Sequence, residues 1–181
     1  MKNKINIFLS NYWKHIFKRL NQIELSKFEY LRQKIVLLNR KNKIILIGNG
    51  GSASISSHIA TDFTKITGRR AVCFNEPNLI TCFANDYGYE NWVKKAIEFY
   101  AIAGDIIILI SSSGKSKNLI NACRFAKKNK YFVTTLTGFE KNNPLSKLGN
   151  INFWVNSKRY NIVEMVHHTW LVALADSLIK K

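Results

Sequence analysis

Between residues 5 and 20, Ile5, Phe8, Leu9, Tyr12, Trp13, Ile16, Phe17 and Leu20 recur at intervals of three and four, the period of an amphipathic helix that buries one face. A second helical stretch, about Glu24 to Asn39, continues it. The period then changes. Lys43 to Gly48 reads KIILIG, a short unbroken apolar run closed by glycine, which predicts a strand covered on both faces of a parallel sheet. AVCF at 71–74, IIILI at 106–110, YFVTTLT at 131–137 and INFWV at 151–155 predict four more strands. Helical patterns separate them: one opened by the glycines after Gly48, a short one from Pro77 to Asn85, then Tyr89 to Ala101, Asn118 to Lys128 and Asn161 to Ile179, with a polar loop around Pro144. Strands alternating with helices point to a doubly wound α/β sheet with right-handed crossovers. No repeat of solenoid length is present.

Composition narrows the class further. The 181 residues are 46% hydrophobic and 22% charged, with two prolines, which excludes disorder and low-complexity architectures. Cys73, Cys82 and Cys123 are an odd set without a CxxC pair, so neither a disulfide framework nor a cysteine-rich zinc site is expected, and a cytoplasmic location fits best. No run approaches the length of a membrane span, and the N-terminus lacks a signal-peptide core. The balance of 28 basic against 11 acidic residues gives a net charge of +17, compatible with nucleic acid, an anionic surface or small phosphorylated molecules. The cations are scattered over helices rather than gathered in a tail, and a lysine-rich coding bias also accounts for them, so nucleic acid is not the expected partner.

Two strands end in small-residue loops that open helices. Gly48-Asn49-Gly50-Gly51-Ser52 follows the first, and Ser111-Ser112-Ser113-Gly114-Lys115-Ser116 follows the strand at 106–110. Glycine lets backbone N–H groups approach an anion, and helix N-termini add a positive dipole. Serine hydroxyls at the same kind of position complete a cradle for a phosphate monoester. Small residues also serve simply as caps and tight turns, but two such loops on successive strand ends favour the cradle. GNGGSA also satisfies the G-x-G-x-x-A dinucleotide fingerprint, with Glu76 placed after the next strand as a ribose-binding acid would be. The serine loop has no role in such a site. A P-loop is excluded, since no G-x-x-x-x-G-K-[ST] occurs.

GNGGSA followed by a helix carrying His58, then ANDYG, ISSSGKSKNLINACRFAKKN and TLTG, together resemble the sugar isomerase (SIS) domain family, most closely its phosphoheptose isomerase branch. The resemblance covers nearly the whole chain. It implies a flavodoxin-like three-layer sandwich with a parallel sheet, residues 41–181, preceded by an N-terminal helical hairpin, residues 1–40, that serves oligomerisation. It also implies a homotetramer with sites between subunits and a phosphorylated sugar as substrate. The implied reaction converts sedoheptulose 7-phosphate to an aldoheptose 7-phosphate through an enediol. The alternative is a non-catalytic SIS module that binds a sugar phosphate or a protein partner.

By this resemblance the substrate is bound by Asn49, Gly50, Gly51, Ser52, Asp86, Ser111, Ser112, Ser113 and Ser116. An enediol reaction also needs a proton carrier and oxyanion stabilisation. The family's acid, four residues after the histidine, corresponds to Asp62, one methylene shorter than the usual Glu. His58 and Asp62, at i and i+4, share a helix face, as a base and its partner would, or as two ligands of a Zn²⁺ cofactor would. On the last helix the sequence departs from the family: anchoring on Glu164 sets Val163 where a Gln is usual and Leu171 where a catalytic histidine is usual. Residues 163, 167 and 171 align along one face, so His167 is the expected replacement, sharing acid/base work with Asp62. His168 points about 100° away and reads as a hydrogen-bonded interface histidine.

Overall fold

The computed structural model describes residues 2–179. Two helices, α1 (Lys2–Leu20) and α2 (Leu25–Val36), precede an alternation of strands and helices: β1 (Ile44–Gly48), α3 (Gly51–Thr67), β2 (Ala71–Cys73), α4 (Pro77–Tyr87), α5 (Trp92–Tyr100), β3 (Ile106–Ser111), α6 (Lys117–Lys128), β4 (Phe132–Thr137), β5 (Ile151–Trp154) and α7 (Tyr160–Asp176). All neighbouring strands pair in parallel, in the order β2-β1-β3-β4-β5. The predicted doubly wound sheet is therefore present, in the flavodoxin-like order whose direction reverses between β1 and β3.

The apolar runs are unbroken because both faces of each central strand are covered. Ile44, Leu46, Ile106, Ile108 and Ile110 point toward α2, α3 and α7. Their neighbours Ile45, Ile47, Ile107 and Leu109 point the other way, onto α5 and α6. All nine are buried, each contributing about 1.5–3 kcal/mol of transfer free energy. At the opposite end from the small-residue loops, the buried Asp105 accepts from Lys43 Nζ at 2.7 Å, Lys43 N at 2.9 Å, Ile102 N at 3.0 Å and Asn42 Nδ2 at 3.1 Å. It thereby fixes the start of β1 against the start of β3.

Element boundaries follow local chemistry. Glu76 caps α4 by accepting from Leu79 N at 2.9 Å, with Pro77 in the first turn, which gives this acid a structural use in place of ribose recognition. The helix expected from Tyr89 starts only at Trp92, because Gly88 has a positive φ of 80° and Asn91 N turns back to its carbonyl. A 3₁₀ turn at Leu145–Lys147 buries Leu145 inside the polar loop, a single anchor that no periodicity announces.

The amphipathic face of α1 packs on the core toward its C-terminal end. Ile16 and Leu20 pack on the core, and Trp170 Nε1 of α7 donates to Leu20 O at 3.0 Å. Phe8, Trp13 and Phe17 stay 54%, 51% and 65% exposed, and of the aromatic residues on this helix Tyr12 is half-buried, with the Arg159 guanidinium 5.5 Å from its ring centroid. α2, by contrast, inserts Leu31 and Ile35 into the core of the sandwich.

Candidate active site

The reversal between β1 and β3 opens a crevice at the carboxyl ends of the two strands, where ligands of doubly wound sheets bind. Gly48 pairs with Ile110 at the end of the ladder, so the two small-residue loops leave the sheet side by side. A cavity of about 120 Å³ lies between them, lined by Asn49, Ser52, Ile110, Ser111, Ser112, Ser113, Ser116, Tyr160 and Glu164. The N-termini of α3 and α6 start at these loops, so unpaired N–H groups and two positive dipole ends accompany the hydroxyls. Six of the nine predicted substrate contacts, Asn49, Ser52, Ser111, Ser112, Ser113 and Ser116, line one cavity, with Gly50 and Gly51 in its first loop.

Backbone geometry shapes both loops. Gly50 has a positive φ of 55° ahead of the first turn of α3, a conformation open to glycine at little cost. A Cβ on Gly51 would overlap the Glu164 carboxylate. Across the cavity, Ser111 Oγ lies 3.0 Å from Ser116 Oγ and accepts from Gly114 N at 3.2 Å. Asn49 and Asn118 exchange two amide hydrogen bonds of 3.0 Å, tying the first loop to the first turn of α6. Asn118 is 2% exposed, and its role as a clamp is invisible in the sequence because its partner lies 69 positions away.

Glu164 and Tyr160, one turn apart on α7, close the cavity. Ser112 Oγ donates to Glu164 Oε1 at 3.5 Å, and burial raises the Glu164 pKa against the lowering effect of that bond. The Tyr160 ring stands edge-on to Phe139, centroids 4.8 Å apart. Phe139 itself takes a left-handed φ of 55° just after β4, an unfavourable backbone for an aromatic residue of the kind that gathers at binding sites. Neither Tyr160 nor Phe139 carries a sequence signal of this arrangement; the four-residue spacing of Tyr160 and Glu164 is the only one available.

The remaining candidates lie elsewhere. Asp86 is exposed on α4, accepts from Asn85 Nδ2 at 2.9 Å and does not line the cavity. His167 is fully buried in the core. Its Nε2 donates to Thr137 O at 3.1 Å, Nδ1 has no partner, and burial lowers its pKa to about 4. The structure thus seats His167 against the sheet and does not bring it to the cavity. His58 and Asp62 do share a face of α3: Asp62 Oδ2 is 3.3 Å from His58 Nε2. Beyond them stands His168, whose Nε2 is 2.6 Å from His58 Nδ1 with the rings edge-to-face. Burial and the neighbouring His58 lower the His168 pKa, partly offset by Asp62.

His58 and Asp62 alone are too few to hold a zinc ion, which takes three or four protein ligands. Among the described residues no group of three or more His, Cys, Asp or Glu is arranged to hold a metal, and Val163 and Leu171 offer no donor atom.

The SIS domain family model matches residues 11–138. The chain belongs to the SIS domain family. The phosphoheptose isomerase of Helicobacter pylori (strain HPAG1) is 36% identical over 142 residues, 74% of each chain. That of Fusobacterium nucleatum is 34% identical over 150 residues, 80% of this chain and 77% of the relative. The structure of phosphoheptose isomerase GmhA from Neisseria gonorrhoeae superposes with a TM-score of 0.87 at 23% identity, over 98% of both chains, which establishes the fold. In this SIS domain six of the nine expected substrate contacts line one cavity, and Val163 and Leu171 on α7 are buried and apolar.

Proposed function

We propose that this SIS protein is an aldose–ketose isomerase that interconverts sedoheptulose 7-phosphate and an aldoheptose 7-phosphate. The observation that carries the reading is the convergence of two helix N-termini and five loop serines on one cavity, an arrangement suited to a phosphate monoester; relatives over 30% identical are phosphoheptose isomerases. His58 lies seven residues beyond Gly51 on α3, about 10 Å along the helix axis. A seven-carbon chain anchored by its terminal phosphate spans a distance of this order. The isomerisation moves a proton between C1 and C2 through an enediol, so it needs a proton carrier and a stabilised oxyanion. Asp62 and His58 supply a carboxylate and an imidazole along this seam. The buried His167, whose Nε2 is already engaged, is assigned no step.

We further infer a homotetramer with sites between subunits, supported by the exposed aromatic face of α1, and a cytoplasmic location. No helix among the described residues is long and apolar enough to cross a membrane.

The test is product NMR on purified protein with sedoheptulose 7-phosphate: an aldoheptose 7-phosphate signal is expected. Binding without turnover would favour the sugar-phosphate-binding alternative. Hydrogen bonds to a charged group are worth about 1.5–3 kcal/mol, so Ser113→Ala should weaken sugar-phosphate binding roughly tenfold or more in calorimetry. Unchanged affinity would remove the serine loop from the site.

A further inference from the structure

On the face of the sheet away from α1 and α7, helices α5 and α6 lie side by side, joined in one apolar cluster through Ala96 and Ile97 of the first and Ala122, Cys123 and Ala126 of the second. An open groove of about 620 Å³ runs between their outer edges. Lys94 and Lys95 line one wall, Arg124 and Lys128 the other, with Phe125 between them and Glu98 as the one carboxylate. Lys95 is paired with that carboxylate, Nζ to Oε2 at 2.9 Å. Lys94, Arg124 and Lys128 have no carboxylate partner among the described residues. Lys94 Nζ instead reaches across the groove to within 5.9 Å of the Phe125 ring centroid. Arg124 and Lys128 are exposed one turn apart on α6, about 6 Å along the axis. Like charges on facing walls repel one another, and an anionic chain laid between them relieves that repulsion.

The groove's other groups say which anionic chain it fits. Exposed aromatic rings flank the cations: Lys95 Nζ stands 5.1 Å from the centroid of Tyr87, and Phe99, one turn after Lys95 on α5, is 62% exposed. Asn121 and Asn129 also line the groove, and their amide nitrogens donate to Glu90 O at 3.1 Å and Phe125 O at 2.9 Å, which leaves the amide oxygens to accept from a ligand. An acidic peptide would use the cations and leave the rings idle, and the surface of a bilayer does not enter a groove. A single strand of nucleic acid uses all three kinds of group: phosphates meet cations, bases stack on rings, and base or ribose donors meet amide oxygens. We propose that the groove between α5 and α6 binds single-stranded nucleic acid. Along the chain these cations sit in two short stretches, 94–95 and 124–128, and give no reason to expect such a partner; the packing of α5 on α6 brings them together. The sheet separates this groove from the aromatic face of α1, so the assembly inferred above does not use it.

Fluorescence anisotropy with a labelled oligouridylate of about 12 nucleotides, within the range of single-strand sites, tests this on the full chain. Three neutralised phosphates at about 0.7 each give an expected slope near −2 for log affinity against log salt, roughly a twentyfold loss between about 50 and 200 mM. Arg124→Gln combined with Lys128→Gln should flatten the slope to about −0.7 and weaken binding at least tenfold at about 100 mM salt. Phe99→Leu, which removes the ring and keeps the charge, should weaken binding about fivefold or more with the slope unchanged. Arg40→Gln combined with Lys41→Gln removes the same charge ahead of β1 and should leave affinity within twofold of wild type. All five substituted side chains are exposed, so each variant should keep the circular dichroism of wild type. An equal loss in the Arg40 and Lys41 variant would overturn the proposal, because net charge rather than the groove would then do the binding. Poly-glutamate or phosphatidylglycerol vesicles that bind more tightly than the oligonucleotide at the same salt would overturn it in favour of an acidic protein or a membrane. Loss of oligonucleotide binding in Ser113→Ala would place the strand in the phosphate cradle and overturn it as well, leaving the isomerase reading untouched.

Discussion

Gly51 shows how much a single missing Cβ sets at this site. It begins α3 with ordinary helical backbone, so alanine there meets no conformational penalty, yet its methyl would overlap the Glu164 carboxylate. The obstructed group is the end of a flexible side chain, so the fold should tolerate Gly51→Ala while the cavity wall moves. The expected outcome is a Tm within a few degrees of wild type and a clear loss of affinity for sugar phosphate, read by thermal melts and calorimetry on one preparation. At this scale the sequence is informative wherever chemistry is local. Glycines before a helix and serines after a strand point to an anion because each acts through its own backbone or hydroxyl. Glu164 and Tyr160 are not legible in that way, since they reach the cavity from a helix more than forty residues downstream of the serine loop.

α7 is the element where sequence reading and structure part most clearly. Aligning 163, 167 and 171 on one face is correct as helix geometry, and that face is the one pressed on the sheet: Val163, His167 and Leu171 are all buried. The adjacent edge, carrying Tyr160, Glu164 and His168, is the one that looks onto the cavity and α3. Helical periodicity separates faces but does not say which of two neighbouring edges meets a ligand. Burial gives His167 a stability role with a definite pH dependence. Its folded pKa of about 4 lies below the ordinary 6.5, so between these values the unfolded chain binds a proton that the folded chain does not. Stability from this group is present above about pH 6.5 and is lost as the pH falls toward 4, by about 3 kcal/mol in all. In urea melts from pH 7 to pH 4, His167→Gln should lose stability less steeply than wild type; identical slopes would contradict the buried neutral imidazole.

For the whole molecule, one feature ties the strands together and a second supports the proposed assembly. Asp105 joins β1 to β3 through four hydrogen bonds, two of them from Lys43, one being the ion pair with its Nζ, and these hold its pKa below the ordinary carboxylate value despite burial. Removing one partner of a buried ion pair costs about 3–5 kcal/mol, so Asp105→Ala should lower Tm by about 10 °C for a chain of this size, measured by calorimetry. The apolar face of α1 is the second feature: Phe8, Trp13 and Phe17 form exposed aromatic surface of the kind that marks an interface. Light scattering should report a tetramer, and Phe17→Lys should shift it toward smaller species while leaving the circular dichroism unchanged. The sequence by itself determined the order of elements, the two-sided burial of the strands and the small-residue loops, because periodicity, glycine and serine act within a few residues. Tertiary structure alone decided which loops meet, that Asn49 pairs with Asn118, that Glu164 enters the cradle and that His168 rather than His167 touches His58. Those contacts depend on strand order and on the rotation of α7 against α3, which are set by packing across the whole sandwich and leave no periodic trace in the chain.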